Sequence, residues 1–367
     1  MKTDAKYMRR ALELAANGMG GASPNPMVGA VIVAPDGRVI GEGWHRVRGL
    51  GHAEVNAVAS VKPEDAGLLK SSTMYVTLEP CSHYGKTPPC AELIIRTGIP
   101  HVVVATVDPN PKVSGRGIEM LRQAGVEVET GLLGQEARNL NRRFFTSQLL
   151  GRPWITLKWA CSADGYMDCM RISESRLPYR FSNALSGMKT MRLRSLHDSV
   201  LTTVATVDAD DCRLTVRGWY GRQPLRLVLD LNGRAEKDKA VFKKIAIGHG
   251  TVAADVGEEA DLRGLGEGIV ISDGNWNNLE EIFRKLYRES GISSVLVEAG
   301  PRLLGKLIDD GLWDAAREEV ATSVMLGEAG TGRAPQIPGY LIAKSEAVGV
   351  NRLNYYLRCC DIAFTGV

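Results

Sequence analysis

Long apolar runs are missing from this 367-residue chain. No stretch of about 18 apolar residues occurs, so the sequence offers no membrane-spanning helix. An excess of charge of one sign is missing too. The 45 basic and 42 acidic side chains leave a net +3, which makes no electrostatic case for nucleic acid or a membrane surface. An anionic small substrate would need only a local basic site. Cysteine is scarce and odd in number. Seven at irregular spacings do not form a disulfide framework, and they fit a reducing, cytoplasmic setting with thiols free for metal. The opening MKTDAKYMRRALELAANG lacks a secretory apolar core and reads as a first helix. Internal repeats and low-complexity segments are also absent. What is there is ordinary for a folded protein: 44 % hydrophobic, 24 % charged, and a length that suggests two domains.

The order of elements points to α/β layers. Helical spacing over 5–17 is followed by the Gly/Pro loop GMGGASPNP, a buried strand at 27–34, a PDG turn and a hairpin partner at 38–45. A helix at 52–60, a strand at 73–80, a helix at 90–97, a strand at 101–107, a helix at 117–125 and a last strand, VEVETGL, come next. A polar helix is expected around 135–147, and GRP at 151–153 then breaks the pattern. Domains 1–148 and 149–367 follow from that break. The second alternates again: strands at 154–160, 198–206, 224–231, 250–256 and 293–300, with helices near 183–195, 279–290 and 302–311.

Three potential metal ligands stand at element boundaries. His52 and Glu54 open a helix, Cys81 follows a strand that ends at Pro80, and Cys90 opens the next helix. One imidazole and two thiolates leave a tetrahedral Zn²⁺ with an open position for water, whose pKa falls toward about 7. Glu54 lies too close in sequence to His52 to bind the same ion easily, and it suits proton transfer instead. Any one of these residues alone would be an ordinary core histidine or a buried thiol. The joint order H-x-E…P-C…C is the zinc deaminase signature, here with eight residues between the cysteines in place of the usual two.

The segments SPNPMVGAVIV, GWH, GHAEVNA, VTLEPCSHYGKTPPC and DPNPKVSGRG closely resemble the bifunctional riboflavin biosynthesis family. Its members fuse a diaminohydroxyphosphoribosylaminopyrimidine deaminase to a 5-amino-6-(5-phosphoribosylamino)uracil reductase. The long cysteine gap is a family trait. The resemblance implies a cytidine deaminase-like three-layer α/β/α domain. In it Asn25 would contact the pyrimidine or ribose, and His45, Lys86, Asp108 and Asn110 would surround the ribose 5′-phosphate. Lys86 also makes independent sense, because from between the two cysteines it could reach an anion.

LKWACSADGYMD, LHDSVLTTVATVDADDCRLTVR, PLRLVLD and VEAGPRLLGKLIDDGLWD resemble the reductase half, which has a dihydrofolate reductase-like fold and uses NADPH. The resemblance puts Lys158, Asp210, Leu214, Arg217 and Glu298 at the substrate, with Lys158, Asp210 and Glu298 catalytic, and Arg194 at its phosphate. It puts Ala160, Thr206, Asp210, Gly300, Pro301, Arg302, Leu303, Leu304, Gly305 and Lys306 at NADPH. A strand that runs into Gly300-Pro301 and a helix also offers backbone N–H groups to a phosphate. Glu298 ends an apolar strand, where a carboxylate is costly without a partner. Departures from the family pattern occur: Arg180 at a tryptophan position, TVATV for G-x-G-T-V, Cys212 for proline and Ala163 for leucine. A homo-oligomer, dimer or tetramer, is implied.

Three other readings stand beside this one. A tRNA or nucleotide deaminase would show tight C-x-x-C spacing and a basic face. A structural zinc protein would need a fourth ligand, for which His83 is the nearest candidate. The second domain could also have lost catalysis and only bind substrate or a partner.

Overall fold

The computed structural model describes residues 4–84, 88–110, 113–171, 177–244, 267–272, 275–339 and 342–358. The chain divides into two compact units, Met1–Gly151 and Arg152–Gly366.

The first unit runs α1 (Ala5–Ala16), β1 (Gly29–Val33), β2 (Val39–Trp44), α2 (Ala53–Ala59), β3 (Thr73–Val76), α3 (Cys90–Thr97), β4 (His101–Val104), α4 (Arg116–Gln123), β5 (Glu127–Thr130), α5 (Gly134–Leu140) and α6 (Arg142–Leu150). Among the described residues they form a five-stranded sheet of order β2-β1-β3-β4-β5. The β1–β2 hairpin is antiparallel, and β3, β4 and β5 are parallel. Alternation along β1 separates two cores. Ala30 and Ile32 pack with Ala53, Ala57, Ile94 and Leu121 from α2, α3 and α4. Val31 and Val33 pack with Met8, Ala11 and Ala137 from α1 and α5. The three-layer expectation is borne out.

Two details differ from the sequence reading. β3 stops at Val76, and residues 77–80 run on with single ties, such as the Glu79 N–H to the Thr106 carbonyl at 3.0 Å. The helix expected at 135–147 is two helices. Asn141 interrupts it because its side chain is used elsewhere: Oδ1 accepts from the Met27 N–H and Nδ2 donates to the Met27 carbonyl, both at 2.8 Å.

The second unit runs β6 (Trp154–Ser162), β7 (Tyr166–Cys169), α7 (Ala184–Ser195), β8 (Ser199–Thr203), α8 (Val204–Asp210), β9 (Leu225–Leu229), β10 (Ile269–Ile271), α9 (Leu279–Ser290), β11 (Ser294–Val297), α10 (Pro301–Asp309), β12 (Ala315–Ala321), β13 (Gly330–Arg333), β14 (Lys344–Val348) and β15 (Asn351–Leu357). Among the described residues there is an eight-stranded sheet, β10-β9-β8-β11-β6-β12-β15-β14, and a separate β13–β7 ribbon. One face packs α9 and α10 through Phe283, Leu304 and Leu307. The other packs α8 through Val204 and Val207.

The strand expected at 198–206 ends at Thr203 and becomes α8. The Thr203 hydroxyl caps that helix by accepting from the Thr206 N–H at 3.3 Å. The strand expected at 250–256 lies outside the described residues. β12 went unread because AAREEVA has the composition of a helix. It nevertheless pairs with β6 and β15 and buries Arg317 and Glu319.

Candidate functional site

The metal ligands expected from sequence converge. His52 is the N-cap of α2, Cys90 is the first residue of α3, and Cys81 follows the extended segment after β3. His52 Nδ1 lies 3.6 Å from Cys81 Sγ and 3.4 Å from Cys90 Sγ, and the three ligand atoms fall within 4.8 Å of one another. A tetrahedral zinc with ordinary Zn–N and Zn–S lengths needs N···S edges of about 3.5 Å, so the site fits the ion without rearrangement. The Cys90 N–H donates to Cys81 Sγ at 3.3 Å. Hydrogen bonding from Cys90 holds Cys81 down at about 4 against burial, and His52 helps. The Cys90 thiol is pushed up by the same contact and by burial.

Glu54 is buried beside the trio. Burial first, and the Cys81 charge second, push its carboxyl up to about 7. His45 stacks edge-on against His52, with ring centroids 5.4 Å apart. Its Nδ1 lies 3.3 Å from the Gly51 carbonyl and its Nε2 lies 3.2 Å from Asn25 Nδ2. One tautomer satisfies both contacts, with Nδ1–H donating and Nε2 accepting. Burial lowers the His45 pKa and favours that neutral form.

Glu79, which the sequence reading passed over, organises the loop beyond β4. Its buried carboxylate accepts from the Asp108, Gly115 and Gly117 N–H groups at 3.1, 2.9 and 2.9 Å. The signal was available, since a carboxylate in VTLEPC ends an apolar strand just as Glu298 does. Gly117 must be glycine, because a Cβ there would sit 1.9 Å from the Pro80 carbonyl oxygen. The loop so held carries Asp108, whose carboxylate accepts from the Asn110 N–H at 2.8 Å. Burial pushes Asp108 up to about 6 despite that bond. Lys86 lies outside the described residues.

A cavity of about 1040 Å³ opens in the second unit. Its lining includes twelve of the residues expected there. Lys158, Arg194, Leu214, Arg217 and Glu298 are among them, and so are Ala160, Thr206, Asp210, and Gly300 to Leu303 at the N-terminus of α10. Leu304, Gly305 and Lys306 lie further along α10, outside the lining. Leu304 is in the hydrophobic core, and Lys306 pairs with Asp310 at 2.6 Å. Such a volume, a helix N-terminus and a cationic wall suit a dinucleotide.

Ion pairs fix the cavity walls. Arg194 grips Glu298 with Nε–Oε1 at 2.6 Å and Nη2–Oε2 at 3.0 Å, and its Nη1 donates to the Thr215 carbonyl at 2.9 Å. Burial works against the Glu298 charge, yet Arg194 holds that carboxyl at about 2. Asp210 is taken by Arg171, at 2.6 Å, which also holds Asp168 at 2.5 Å. Lys158 faces Arg317 in register across β6 and β12. Burial lowers its pKa, Glu298 opposes that, and Arg317 adds to it. Arg171 and Arg317 were not legible in advance, because each acts through partners distant in sequence.

The fold and the two sites define a class: a zinc-dependent deaminase joined to a nucleotide-dependent reductase. Residues 1–106 match the cytidine and deoxycytidylate deaminase zinc-binding region, and residues 153–350 match the RibD C-terminal domain. The riboflavin biosynthesis protein RibD of Aquifex aeolicus is 40% identical over 324 residues, 88% of each chain. That of Escherichia coli strain K12 is 36% identical over 341 residues, 89% of each chain. Among solved structures, Acinetobacter baumannii RibD superposes with a TM-score of 0.80 at 30% identity, covering 96% of this chain and 98% of that one. A Thermotoga maritima diaminohydroxyphosphoribosylaminopyrimidine deaminase/5-amino-6-(5-phosphoribosylamino)uracil reductase gives 0.78 at 35% identity, covering 97% and 98%. The chain belongs to the RibD family of riboflavin biosynthesis proteins.

It is therefore a deaminase–reductase with zinc and NADPH as cofactors, acting on a small phosphorylated substrate. The reading of a second domain that only binds finds no support, since the reductase family match spans that domain. No helix among the described residues is long and apolar enough to cross a membrane.

Proposed function

We propose that the first unit deaminates 2,5-diamino-6-ribosylamino-4(3H)-pyrimidinone 5′-phosphate and that the second reduces the ribosyl group of the product to ribityl. The observation that carries this reading is the convergence of His52, Cys81 and Cys90 beside the buried Glu54. Those three residues would hold the zinc ion, which when bound makes a water nucleophilic at neutral pH. Glu54 takes a proton from that water and passes it to the ring nitrogen. It then takes the proton of the newly added hydroxyl and delivers it to the departing amine, so that a carbonyl oxygen replaces the amino group and ammonia leaves. Asn25 and His45, locked together, present a neutral polar edge to the substrate. Asp108, Asn110 and Lys86 would surround its phosphate.

In the second unit NADPH, when bound, would supply the hydride that reduces C1′ of the opened sugar imine. Gly300 to Leu303 would meet the cofactor's phosphates at the start of α10, with Ala160 and Thr206 on the same cavity wall. Lys158 has an ammonium made acidic by burial, and it donates the proton that ring opening requires. Glu298 and Asp210 hold their cationic partners in place around it. We also infer a cytoplasmic homo-oligomer, a dimer or tetramer, assembled through the second unit. Light scattering tests the assembly.

Metal removal tests the deaminase assignment. Protein stripped with a chelator should release no ammonia from the diaminopyrimidine phosphate, and one equivalent of zinc should restore release. Full activity of verified zinc-free protein would refute it.

A further inference from the structure

Three neighbouring strands set charged residues side by side beneath the reductase cavity. Val297 at the end of β11 pairs with Leu157 of β6, so Glu298 follows beside Lys158, and Lys158 pairs in register with Arg317 of β12. Partners in a parallel pairing point to the same face from strands about 4.8 Å apart. Glu319, two residues beyond Arg317, shares that face. Lys158 is half-buried at the cavity wall, and Arg317 is 3% exposed.

The carboxylates around this row already have other partners. Arg194 grips Glu298 at both oxygens. Glu319 accepts from the Ser182 hydroxyl at 2.8 Å and from the Asn351 amide at 2.6 Å. On the far side of Arg317, β15 sets Tyr355 in register, and its hydroxyl donates to Glu346 at 2.6 Å, which Lys189 also holds. Among the described residues neither Lys158 nor Arg317 has a carboxylate within ion-pair distance. Arg317 Nη2 donates to Thr190 Oγ1 at 2.5 Å, and its Nε has no partner. A guanidinium cannot shed its proton to escape burial, so an uncompensated charge is kept next to Lys158.

The charged groups that bear on Lys158 come from each element packed against it. Burial does most to lower the Lys158 pKa. Glu298 after β11 and Glu319 on β12 oppose it, and Arg317 on β12 and Arg194 on α7 add to it. The Arg194 charge is offset by Glu298 within their own pair, which leaves Arg317 as the cation whose effect on Lys158 is not cancelled at short range.

We propose that Arg317 is a positioning residue of the reduction: its buried, uncompensated charge loads the neighbouring Lys158 ammonium, so that Lys158 gives its proton to the opening sugar ring more readily than an isolated lysine would. This rests on the reading of Lys158 as the proton donor of the second unit. Glu319 is the counterweight on the same strand.

Two measurements on the full-length zinc-loaded enzyme test this role. The first needs neither NADPH nor substrate. Labelling with acetic anhydride across a range of pH, followed by mass spectrometry of the Lys158 peptide, reads the pH at which that ammonium loses its proton. The second is the alkaline limb of kcat/KM for reduction of the deaminated ribosylaminopyrimidine 5′-phosphate, where a donor without its proton stops working. Removing a neighbouring cation makes the proton harder to lose. Arg317→Met, or Arg317→Gln should the first not fold, should therefore move both midpoints up by about one pH unit or more. Arg317→Lys keeps the charge and should hold both close to wild type. Glu319→Gln removes a negative charge and should move both down, an opposite sign that loss of packing alone would not produce. Midpoints unmoved in a folded neutral Arg317 variant would overturn the role of Arg317 and leave the reductase reading standing. A labelling midpoint that moves while the alkaline limb stays would overturn the reading of Lys158 as proton donor, and the proposal with it.

Discussion

The two units solve the same problem, fixing charged groups around a pyrimidine phosphate, by different means. In the first, each chemical group stands at the boundary of one short element, and its partners are mostly backbone atoms nearby in the fold. Glu79 accepts loop N–H groups, His45 bonds the Gly51 carbonyl, and Cys90 opens α3. In the second, side chains hold side chains across long sequence separations. Arg194 reaches Glu298, Arg171 reaches Asp210, and Ser182 donates to Glu319 at 2.8 Å. A site built on element ends can tolerate the loss of one partner. A buried ionic network cannot, because the surviving charge is stranded.

The sharpest way to break this comparison is Glu54→Gln. Glutamine keeps shape but cannot move protons. Deamination should fall at least about 100-fold while zinc content, by metal analysis, and NADPH oxidation on the deaminated product stay at wild-type levels. Loss of zinc in this variant would mean that Glu54 is structural.

Glu298→Gln should cost the second unit about 3–5 kcal/mol by stranding Arg194, with ammonia release intact. Denaturant unfolding followed alongside deamination measures both. The same carboxyl predicts an acid limb. Its ordinary pKa is 4.5 and it is held at about 2 in the fold. Its contribution is therefore complete above about 4.5 and is lost as the pH falls from there through about 2. Wild-type stability should fall over that window, and Glu298→Gln should flatten the fall.

A smaller effect is expected from Glu79→Gln, which leaves loop N–H groups poorly satisfied. It should cost about 1–3 kcal/mol and raise the deaminase KM without releasing zinc. Asn141→Ala removes two hydrogen bonds to Met27 and should cost least, about 1–2 kcal/mol, with deamination slowed only by the loosened approach to Asn25. If Asn141→Ala proved more damaging than Glu298→Gln, the contrast between the two sites would be wrong.

The same contrast explains what could be read from sequence. Residues 52, 54, 81 and 90 announce themselves because zinc chemistry demands those residue types at element ends, and hydrophobic periodicity located the elements. Strands β1, β4 and β11 were plain for the same reason. β12 was not, since its Arg317 and Glu319 look like helix-surface residues and become core residues only when β6 and β15 flank them. The end of β8 at Thr203 depends on a capping hydroxyl in an apolar run. The partners of Arg194 and Asp210 could not be read, because no local rule pairs residues a hundred positions apart or joins Arg171 to α8. Resemblance supplied the names of the cavity residues, and the geometry showed that Arg194 is bound to its own protein.

The central claim is that both sites work in one chain. One measurement addresses it most directly: ammonia and NADPH followed separately on the diaminopyrimidine ribosylamine 5′-phosphate. With NADPH present, one ammonia should appear for each NADPH consumed. Without NADPH, ammonia release should continue and the deaminated ribosyl product should accumulate. Ammonia release with no NADPH consumption at any cofactor concentration, or NADPH consumption without ammonia, would contradict the account.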